Sequence, residues 1–357
     1  MTNEGKRIVI IAPVVPFRGG IAHSNTALCK NLSKRNDVLA VSFKRLFPKW
    51  LYKGKFQREN KPIPKDLNVI ECLDSVNPIT WLNTIREIKD FHPDLVIFQW
   101  WTVFLVPCYL FISRLLSCEK VVICQCVLPH KQGLFDVFLT KLFFAGIDRF
   151  IALAKSEKED LVKLTNKPSD LLLDTSYGFE EKSISKKMAF KKLGFNRSFI
   201  LFFGFVRPYK GLKWLLKAFP LVEKNVDLRI VGEFWEKKGY DLNQRNVFVD
   251  DRYVSNEEMV LLFKACDVLV LPYESSTQSG IIQVAFELGT PLITTRVGGN
   301  TDLIVDGFNG MLVDPCDSVA LADKINLFYF DDLSEDFSKS MSSPNWTIEK
   351  ERMVVGK

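Results

Sequence analysis

Short apolar runs, rich in β-branched and aromatic residues, recur along the first half of the chain and are separated by stretches with helical periodicity. They are Ile8–Val15, Val38–Phe43, Leu95–Gln99, Val121–Val127 and Phe150–Leu153. The runs are nearly continuous rather than alternating, which is typical of strands buried on both faces of a parallel sheet. A parallel sheet with helical crossovers is therefore predicted for this half.

The second half repeats the same alternation of apolar runs and helical stretches. Its helical stretches include Leu212–Phe219 and Glu257–Ala265. Alternation that restarts once predicts an α/β fold with two doubly wound, Rossmann-like parallel-sheet domains facing a cleft. The second set of runs is Phe199–Phe203, Leu228–Val231, Val247–Val249, Val268–Leu271, Leu292–Thr294 and Met311–Val313.

The length of 357 residues is enough for two such domains, each with its own core. We predict a first domain over residues 1–178, a polar and lysine-rich linker over 179–197 and a second domain over 198–335. The tail, 336–357, is weakly patterned, and we expect it to pack back toward the first domain.

The composition restricts the compartment and the partners. Eight cysteines lie mostly inside apolar runs and form no CxxC pair, which favours a reducing compartment and argues against disulfides or a zinc site. The net charge of +6 is too small to indicate a nucleic-acid partner. The most apolar segment, Leu95–Leu116, is broken by Gln99, Pro107 and Arg114. It predicts a strand and a buried helix rather than a span of about 20 apolar residues, so we expect a cytoplasmic protein.

Three loops that follow apolar runs carry residues suited to binding phosphate. Gly19 and Gly20 allow the backbone to approach a ligand at the start of a helix, although a plain tight turn would use the same residues. Arg207 and Lys210 place two cations in a loop that opens a helix, as in a diphosphate clamp. In the third loop, Thr277, Gln278 and Ser279 precede a helix that begins at Gly280, so hydroxyls and helix N–H groups can hold a phosphate without a metal. Ordinary capping by Ser279 is the alternative there.

Together these loops resemble those of the retaining GT-B glycosyltransferases of family 4, in particular a subset of bacterial polysaccharide transferases with a TQSG loop. The resemblance runs from Arg7 to about Phe328 and is most specific over Gly204–Gly211, Asp267–Gly289 and Pro291–Pro315. It implies a glycosyltransferase that uses a nucleotide-sugar donor in the synthesis of a surface polysaccharide such as lipopolysaccharide or capsule.

The resemblance also implies roles for particular residues. Arg207 and Lys210 correspond to the cations that bind the donor diphosphate, and Gly19-Gly20 corresponds to a loop that closes on the donor from the other domain. Many members carry two glutamates eight residues apart in the third loop, whereas this chain has the TQSG sequence and Val284 near the later glutamate position. Glu274 is a candidate replacement, with a solvated loop carboxylate as the alternative.

Two further departures concern the strand ends. The arginine that usually follows the strand glycine is Phe205 here, and Arg207 is expected to substitute for it. Where many members have a histidine near the reacting centre, this chain has Gln125 and Cys126, so the nearby His130 becomes a candidate catalytic residue. A structural role for His130 is the alternative.

The expected reaction retains the anomeric configuration and requires no metal or other cofactor, because the acidic pairs Asp250-Asp251 and Asp331-Asp332 do not form a DxD motif. Acceptors in such pathways are commonly lipid-linked. The segment Phe47–Phe56 mixes aromatic residues with lysines, which predicts peripheral contact with the inner face of the plasma membrane. A nucleotide-sugar epimerase, a phosphorylase and a degenerate non-catalytic scaffold are the alternatives.

Overall fold

The computed structural model describes residues 5–52, 54–128, 133–173, 177–178, 183–236, 238–341 and 346–356. The chain divides into two compact units. The first unit comprises residues 1–177 together with 345–357, and the second comprises residues 178–344. Each unit contains one parallel sheet, which confirms the predicted class of two Rossmann-like α/β units.

The first unit is built on a seven-stranded parallel sheet with the order β3-β2-β1-β4-β5-β6-β7. Its central strands are apolar on both faces, and Ile8 to Ile11 of β1 have no exposed surface. Burial on both sides is what the continuous apolar runs predicted. The strands are β1 (Arg7–Ile11), β2 (Asp37–Arg45), β3 (Val69–Asp74), β4 (Leu95–Trp100), β5 (Glu119–Cys124), β6 (Arg149–Ala152) and β7 (Ser169–Leu171).

Helices cover both faces of this sheet. One face packs against α1 through Leu28 and Leu32, while the other packs against α2, α3 and α4 through side chains such as Trp81 and Phe143. The helices of this part are α1 (Gly20–Leu32), α2 (Pro78–Asp90), α3 (Val106–Arg114), α4 (Leu134–Phe144) and α5 (Lys155–Leu164).

The second unit contains a six-stranded parallel sheet with the order β10-β9-β8-β11-β12-β13. Its strands are β8 (Phe199–Phe203), β9 (Asp227–Val231), β10 (Val247–Asp250), β11 (Val268–Leu271), β12 (Leu292–Thr295) and β13 (Met311–Val313). All six coincide closely with predicted runs. The helices are α6 (Lys186–Leu193), α7 (Leu212–Ala218), α8 (Asn256–Ala265), α9 (Gly280–Leu288), α10 (Asn300–Leu303), α11 (Ser318–Phe330) and α12 (Ser334–Ser340).

The last helix, α13 (Ile348–Val355), belongs to the first unit. Val354 and Val355 are buried beside the sheet. The Arg149 guanidinium donates hydrogen bonds to the carbonyls of Met353 (2.7 Å) and Val354 (2.6 Å). An arginine is well placed there because the last carbonyls of a helix have no partner within the helix.

Two of the predicted boundaries need correction. The segment expected as a linker, 179–197, contains α6, whose Ala189 is buried and which packs on α8, so it is part of the second unit. The segment expected as one tail, 336–357, is divided, because its first part lies in α12 of the second unit and its last part forms α13. The many lysines of this segment made its apolar residues inconspicuous in the sequence, so the helix was not predicted.

The apolar segment from Leu95 to Leu116 forms β4, a 3-10 turn (Val103–Leu105) and α3. None of the helices in the described ranges is long and apolar enough to cross a bilayer.

Candidate functional site

The order of the strands places the two predicted loops of the second unit side by side. Its sheet reverses direction of winding between β8 and β11, which are neighbours. At such a switch point the loops that follow the two strands diverge and leave a crevice at their carboxyl ends. Arg207 and Lys210 follow β8, and Thr277 to Gly280 follow β11, so both predicted groups lie at this edge.

Arg207 is held by an aromatic ring. Its guanidinium carbon lies 3.6 Å from the centroid of the Trp235 ring, in a cation–π contact. The loops after β8 and β9 are joined by hydrogen bonds from the Val206 N–H to the Glu233 carbonyl (3.0 Å) and from the Trp235 N–H to the Val206 carbonyl (3.1 Å). The Arg207 Nε is buried and has no hydrogen-bond partner among the described residues. The stacking therefore orients a guanidinium that still has hydrogen bonds to offer to a ligand.

Lys210 lies against the second loop. Its Nζ donates to the Tyr273 hydroxyl at 3.3 Å, and the Ser279 Oγ donates to the same hydroxyl at 3.5 Å. A Cβ at Gly204 would lie 3.1 Å from that Nζ, so glycine leaves the ammonium its space. Burial lowers the pKa of Lys210 and raises that of Tyr273 to about 12. An incompletely solvated ammonium is stabilised by an arriving anion.

A close approach of backbones fixes the spacing of the two loops. Gly211 has φ 66°, and a Cβ there would lie 1.8 Å from the Pro272 carbonyl oxygen. The Glu274 N–H donates to the Tyr209 carbonyl at 2.7 Å. The loop that carries the cations and the loop that leads into α9 therefore form one rigid unit.

Glu274 is not a solvated loop carboxylate. It accepts hydrogen bonds from the Trp214 Nε1 (2.9 Å) and the Lys213 Nζ (2.8 Å). Burial opposes ionisation of Glu274, but the hydrogen bonds from Lys213 and Trp214 outweigh it and lower its pKa. Its carboxylate thus braces the loop from the side of α7.

Helix α9 begins at the predicted phosphate-binding loop. Ser279 occupies the N-cap position but its side chain makes no capping bond to the helix, since the hydroxyl turns to Tyr273 instead. The alternative that the Ser279 side chain caps this helix is therefore wrong. Helix N-termini carry unpaired N–H groups and partial positive charge, which favour an anion.

In the first unit, Gly19 has φ 101° and immediately precedes α1, whose first residue is Gly20. A Cβ at Gly20 would lie 3.3 Å from the Tyr177 hydroxyl. His23 follows in the first turn, and burial lowers its pKa, so its imidazole is neutral at pH 7. His130 lies outside the described residues.

The sequence did not identify the aromatic partners of the two cations. Trp235, beneath Arg207, also contacts Phe205, whose ring centroid lies 5.6 Å away. Phe205 in turn contacts Tyr253 at 6.2 Å. The sequence feature that could have indicated these contacts is Gly232, directly after β9. Its φ of 147° brings the loop that follows β9 against the Gly204 carbonyl.

The acidic pair at the end of β10 has structural partners. The Asp251 carboxylate accepts the Phe234 N–H at 2.9 Å, and Asp250 pairs with Arg252 at 2.9 Å. Within the described ranges no group of three or more acidic, cysteine or histidine side chains is arranged to hold a metal ion.

The fold is similar to that of several solved structures. One is Anabaena HepE in complex with UDP-glucose, with a TM-score of 0.74 and 14% sequence identity over 98% of this chain and 99% of that protein. At this identity the likeness concerns the fold alone.

Sequence comparison finds a family match within the second unit. Residues 197–331 match the family described as Glycosyl transferases group 1. An uncharacterized glycosyltransferase of Methanocaldococcus jannaschii is 28% identical over 46% of this chain and 46% of its own length. D-inositol 3-phosphate glycosyltransferase of Pseudarthrobacter chlorophenolicus is 33% identical over 37% of this chain and 34% of its own length. The chain thus spans less than half the length of these curated relatives.

Proposed function

We propose that this chain is a retaining, metal-independent glycosyltransferase that moves a sugar from a nucleotide diphospho-sugar to a glycan acceptor during surface-polysaccharide synthesis. The observation that carries the proposal is the pair of cations at the switch point of the second unit. Arg207 is stacked on Trp235, and Lys210 lies against Tyr273, whose hydroxyl also accepts a hydrogen bond from Ser279 at the N-cap of α9. The match of residues 197–331 to the glycosyltransferase group 1 family supports the same reading.

In this proposal the second unit stabilises the leaving nucleotide diphosphate. Arg207 and Lys210 neutralise its growing charge, and the N–H groups at the start of α9 supply further donors. Preorganised donors of this kind contribute most where water is excluded, and the lowered pKa of Lys210 is consistent with such a place. The acceptor hydroxyl then attacks on the face from which the diphosphate departs, as the family resemblance implies for retention.

We propose that the acceptor is lipid-linked and that the protein acts at the cytoplasmic face of the plasma membrane. Support comes from the first unit, where Trp50 and Phe56 are exposed beside Lys49 and Lys55. Aromatic residues mixed with lysines suit the headgroup region of an anionic bilayer.

The test is donor binding by the purified protein with UDP-, GDP- and ADP-sugars in the presence of EDTA. Wild type should bind one donor, and Arg207→Ala should weaken that binding about 100-fold or more, since it removes a charge-assisted clamp. Arg245→Ala is the matched control, because Arg245 is an exposed arginine of the same unit, placed just before β10. It should bind as wild type does.

Other results would redirect the proposal. Absence of nucleotide binding would favour a degenerate scaffold. Conversion of the donor sugar without acceptor would favour an epimerase, and turnover that requires inorganic phosphate would favour a phosphorylase. The anomeric configuration of the product, read by NMR, tests retention.

A further inference from the structure

A large concave surface lies at the carboxyl edge of the first unit's sheet. It has a volume of about 650 Å³, within the ~300–1000 Å³ of typical small-molecule sites. Its walls come from segments that follow three strands: Phe47 after β2, Val76 after β3 and Phe104 after β4. We call this surface the aromatic groove. It lies where ligands of α/β sheets bind.

The lining of the aromatic groove is hydrocarbon. Ser75 and Thr102 are its polar members, and the Thr102 hydroxyl already accepts the Phe104 N–H at 3.4 Å. The Trp81 Nε1 donates to the Asp74 carbonyl at 2.8 Å, so the polar atom of this indole is engaged. No charged side chain lines the groove among the described residues. A sugar or a phosphate would lose its hydration here without replacement, whereas an alkyl chain would not.

The rim of the groove is aromatic and exposed. Trp50, which lines it, is 80% exposed, as is Phe135 in α4. Phe135 lies one helical turn before Leu139, which also lines the groove, so the two share a face. Exposed apolar side chains clustered around a concavity indicate a site that is covered by a ligand.

Cations flank the groove on the side of Trp50. From Lys44 to Arg58 the sequence contains six basic residues and no acidic residue. Arg45 and Arg58 are paired with Asp74 and Glu71. Lys44 and Lys49 of this segment are exposed. This charge is complementary to an anionic headgroup next to a buried chain.

We propose that the aromatic groove binds the hydrocarbon chain of an amphiphile with a phosphate headgroup, which is the lipid part of the acceptor. The inference rests on the proposed transferase function and assigns its acceptor lipid a site. The chain lies among Phe47, Val76 and Phe104, and the phosphate lies near Lys44 and Lys49.

Hydrogen bonds join the wall of the groove to the glycine loop before α1. The Gln57 side chain accepts the Phe47 N–H (3.0 Å) and donates to the Phe47 carbonyl (2.7 Å). The Gln57 carbonyl accepts the Arg18 N–H at 2.9 Å, directly before Gly19. A chain in the groove therefore braces the segment that holds the glycine loop in place.

The experiment measures binding of soluble alkyl phosphates, from hexyl to tetradecyl, below their micellar concentrations. Affinity should rise roughly fourfold per methylene, which corresponds to about 0.8 kcal/mol, and should stop rising when the groove is full. Val76→Arg, which puts a charge into the groove at an exposed position, should weaken binding at least tenfold. Val305→Arg is the matched control, an exposed valine of the second unit, and should bind as wild type does.

Several outcomes would overturn the inference. Affinity that rises without a plateau, equal in wild type and Val76→Arg, would mean unspecific partition. Binding to anionic vesicles without binding of soluble alkyl phosphates would mean a flat membrane contact instead. Self-association that Val76→Arg abolishes, without alkyl phosphate binding, would mean a second copy covers the groove. Trp50→Ala, at an exposed site, repeats the test should Val76→Arg fold poorly.

The donor measurement keeps this inference separate from the proposed function. Arg207→Ala should lose the nucleotide donor and retain alkyl phosphate binding, whereas Val76→Arg should do the reverse. Alkyl phosphate binding in a protein that binds no nucleotide would sustain the groove and overturn the transferase. Nucleotide binding with no saturable alkyl phosphate binding would sustain the transferase and overturn the groove.

Discussion

The two units share a parallel sheet with the same switch in strand order, but their carboxyl edges differ in chemistry. In the second unit, Arg207 and Lys210 are braced by aromatic rings and hydroxyls. In the first unit, the aromatic groove is apolar, and Glu157, in α5 after β6, has a buried carboxyl group. The same backbone frame thus presents cationic side chains in one unit and hydrocarbon in the other. The frame sets where ligands bind, and the loop side chains decide which ligands.

The buried charges of the two edges sharpen this difference. Burial lowers the pKa of the Lys210 ammonium and raises the pKa of the Glu157 carboxyl to about 7. An anionic ligand beside Lys210 would raise its pKa again. Glu157 has its partner already, since it accepts the Val127 N–H and so fixes the loop after β5. Lys210 is therefore suited to bind a ligand, whereas Glu157 stabilises the fold.

The largest expected effect tests whether the stability of the second unit depends on the close approach of its two loops at Gly211 and Pro272. In Gly211→Ala the new Cβ would meet the Pro272 carbonyl oxygen, and φ is 66°. We expect a loss of about 2–4 kcal/mol in the free energy of unfolding of the second unit, measured by urea denaturation. Gly194→Ala is the matched control, with φ 67° and nothing within 4 Å of its Cβ. Equal losses in both variants would show that the approach to Pro272 costs nothing.

The next effect concerns the buried carboxylate of the first unit. The pKa of Glu157, raised to about 7 from 4.5, favours the neutral acid in the folded state. Its stabilising contribution is present below pH 4.5 and is lost as pH rises through about 7. Glu157→Gln removes this dependence, so above pH 7 it should be more stable than wild type by up to about 3 kcal/mol. Urea denaturation across that pH range measures it.

Glu274→Gln in the second unit is the opposite case. The pKa of Glu274 is lowered, so its contribution is present above pH 4.5 and is lost as pH falls. Glu274→Gln should therefore cost stability at neutral pH and little in acid. The same pH trend in both variants would contradict the contrast drawn between the two edges.

The sequence predicted the fold wherever strands are buried on both faces. All six strands of the second unit and five of the seven in the first coincide with apolar runs. The exceptions, β3 and β7, are edge strands with half-exposed side chains, and β7 has only three residues. Polar residues within these two strands interrupt the apolar pattern, whereas the edge strand β10 was predicted from its run Val247–Val249 although Phe248 and Val249 are exposed.

The candidate site was predictable in its loops but not in its contacts. Arg207, Lys210 and the Thr277–Gly280 loop were found because the residues after parallel strands meet at one sheet edge. The partners Trp235 and Tyr273 lie in other loops, and Tyr273 is 63 residues away from Lys210. Such pairings depend on how loops pack, which no local pattern encodes. The aromatic groove was likewise hidden, since the sequence could not separate core phenylalanines from exposed ones.

A smaller effect distinguishes the units by their stability. Arg149 holds the end of α13 through two carbonyls and pairs with Glu119 at 2.8 Å. Arg149→Met should cost the first unit about 1–3 kcal/mol, because hydrogen bonds from a charged donor are lost. Arg197→Met in the second unit, whose pairing with Asp227 is longer at 3.5 Å, should cost less than about 1 kcal/mol. Hydrogen exchange within each unit measures both losses, and comparable losses would mean that α13 is not held by Arg149.

The smallest expected effect tests the hydrogen bond between the Tyr273 hydroxyl and Lys210. Tyr273→Phe keeps the ring, whose centroid lies 5.1 Å from the Lys210 Nζ, and removes the hydroxyl that accepts its hydrogen bond. Donor affinity should fall about fivefold, or about 1 kcal/mol. The pKa of Lys210, already lowered from 10.5 by burial, should fall further. Because the ammonium is lost as pH rises, donor affinity should then decline at a lower pH in the variant than in wild type.

Tyr329→Phe is the control, because the Tyr329 hydroxyl donates a hydrogen bond to Asp267 at the opposite end of β11. This variant should change neither the donor affinity nor its pH dependence. Isothermal titration across pH measures both, and an unchanged pH profile in Tyr273→Phe would mean that the tyrosine supports the loop without acting on the lysine.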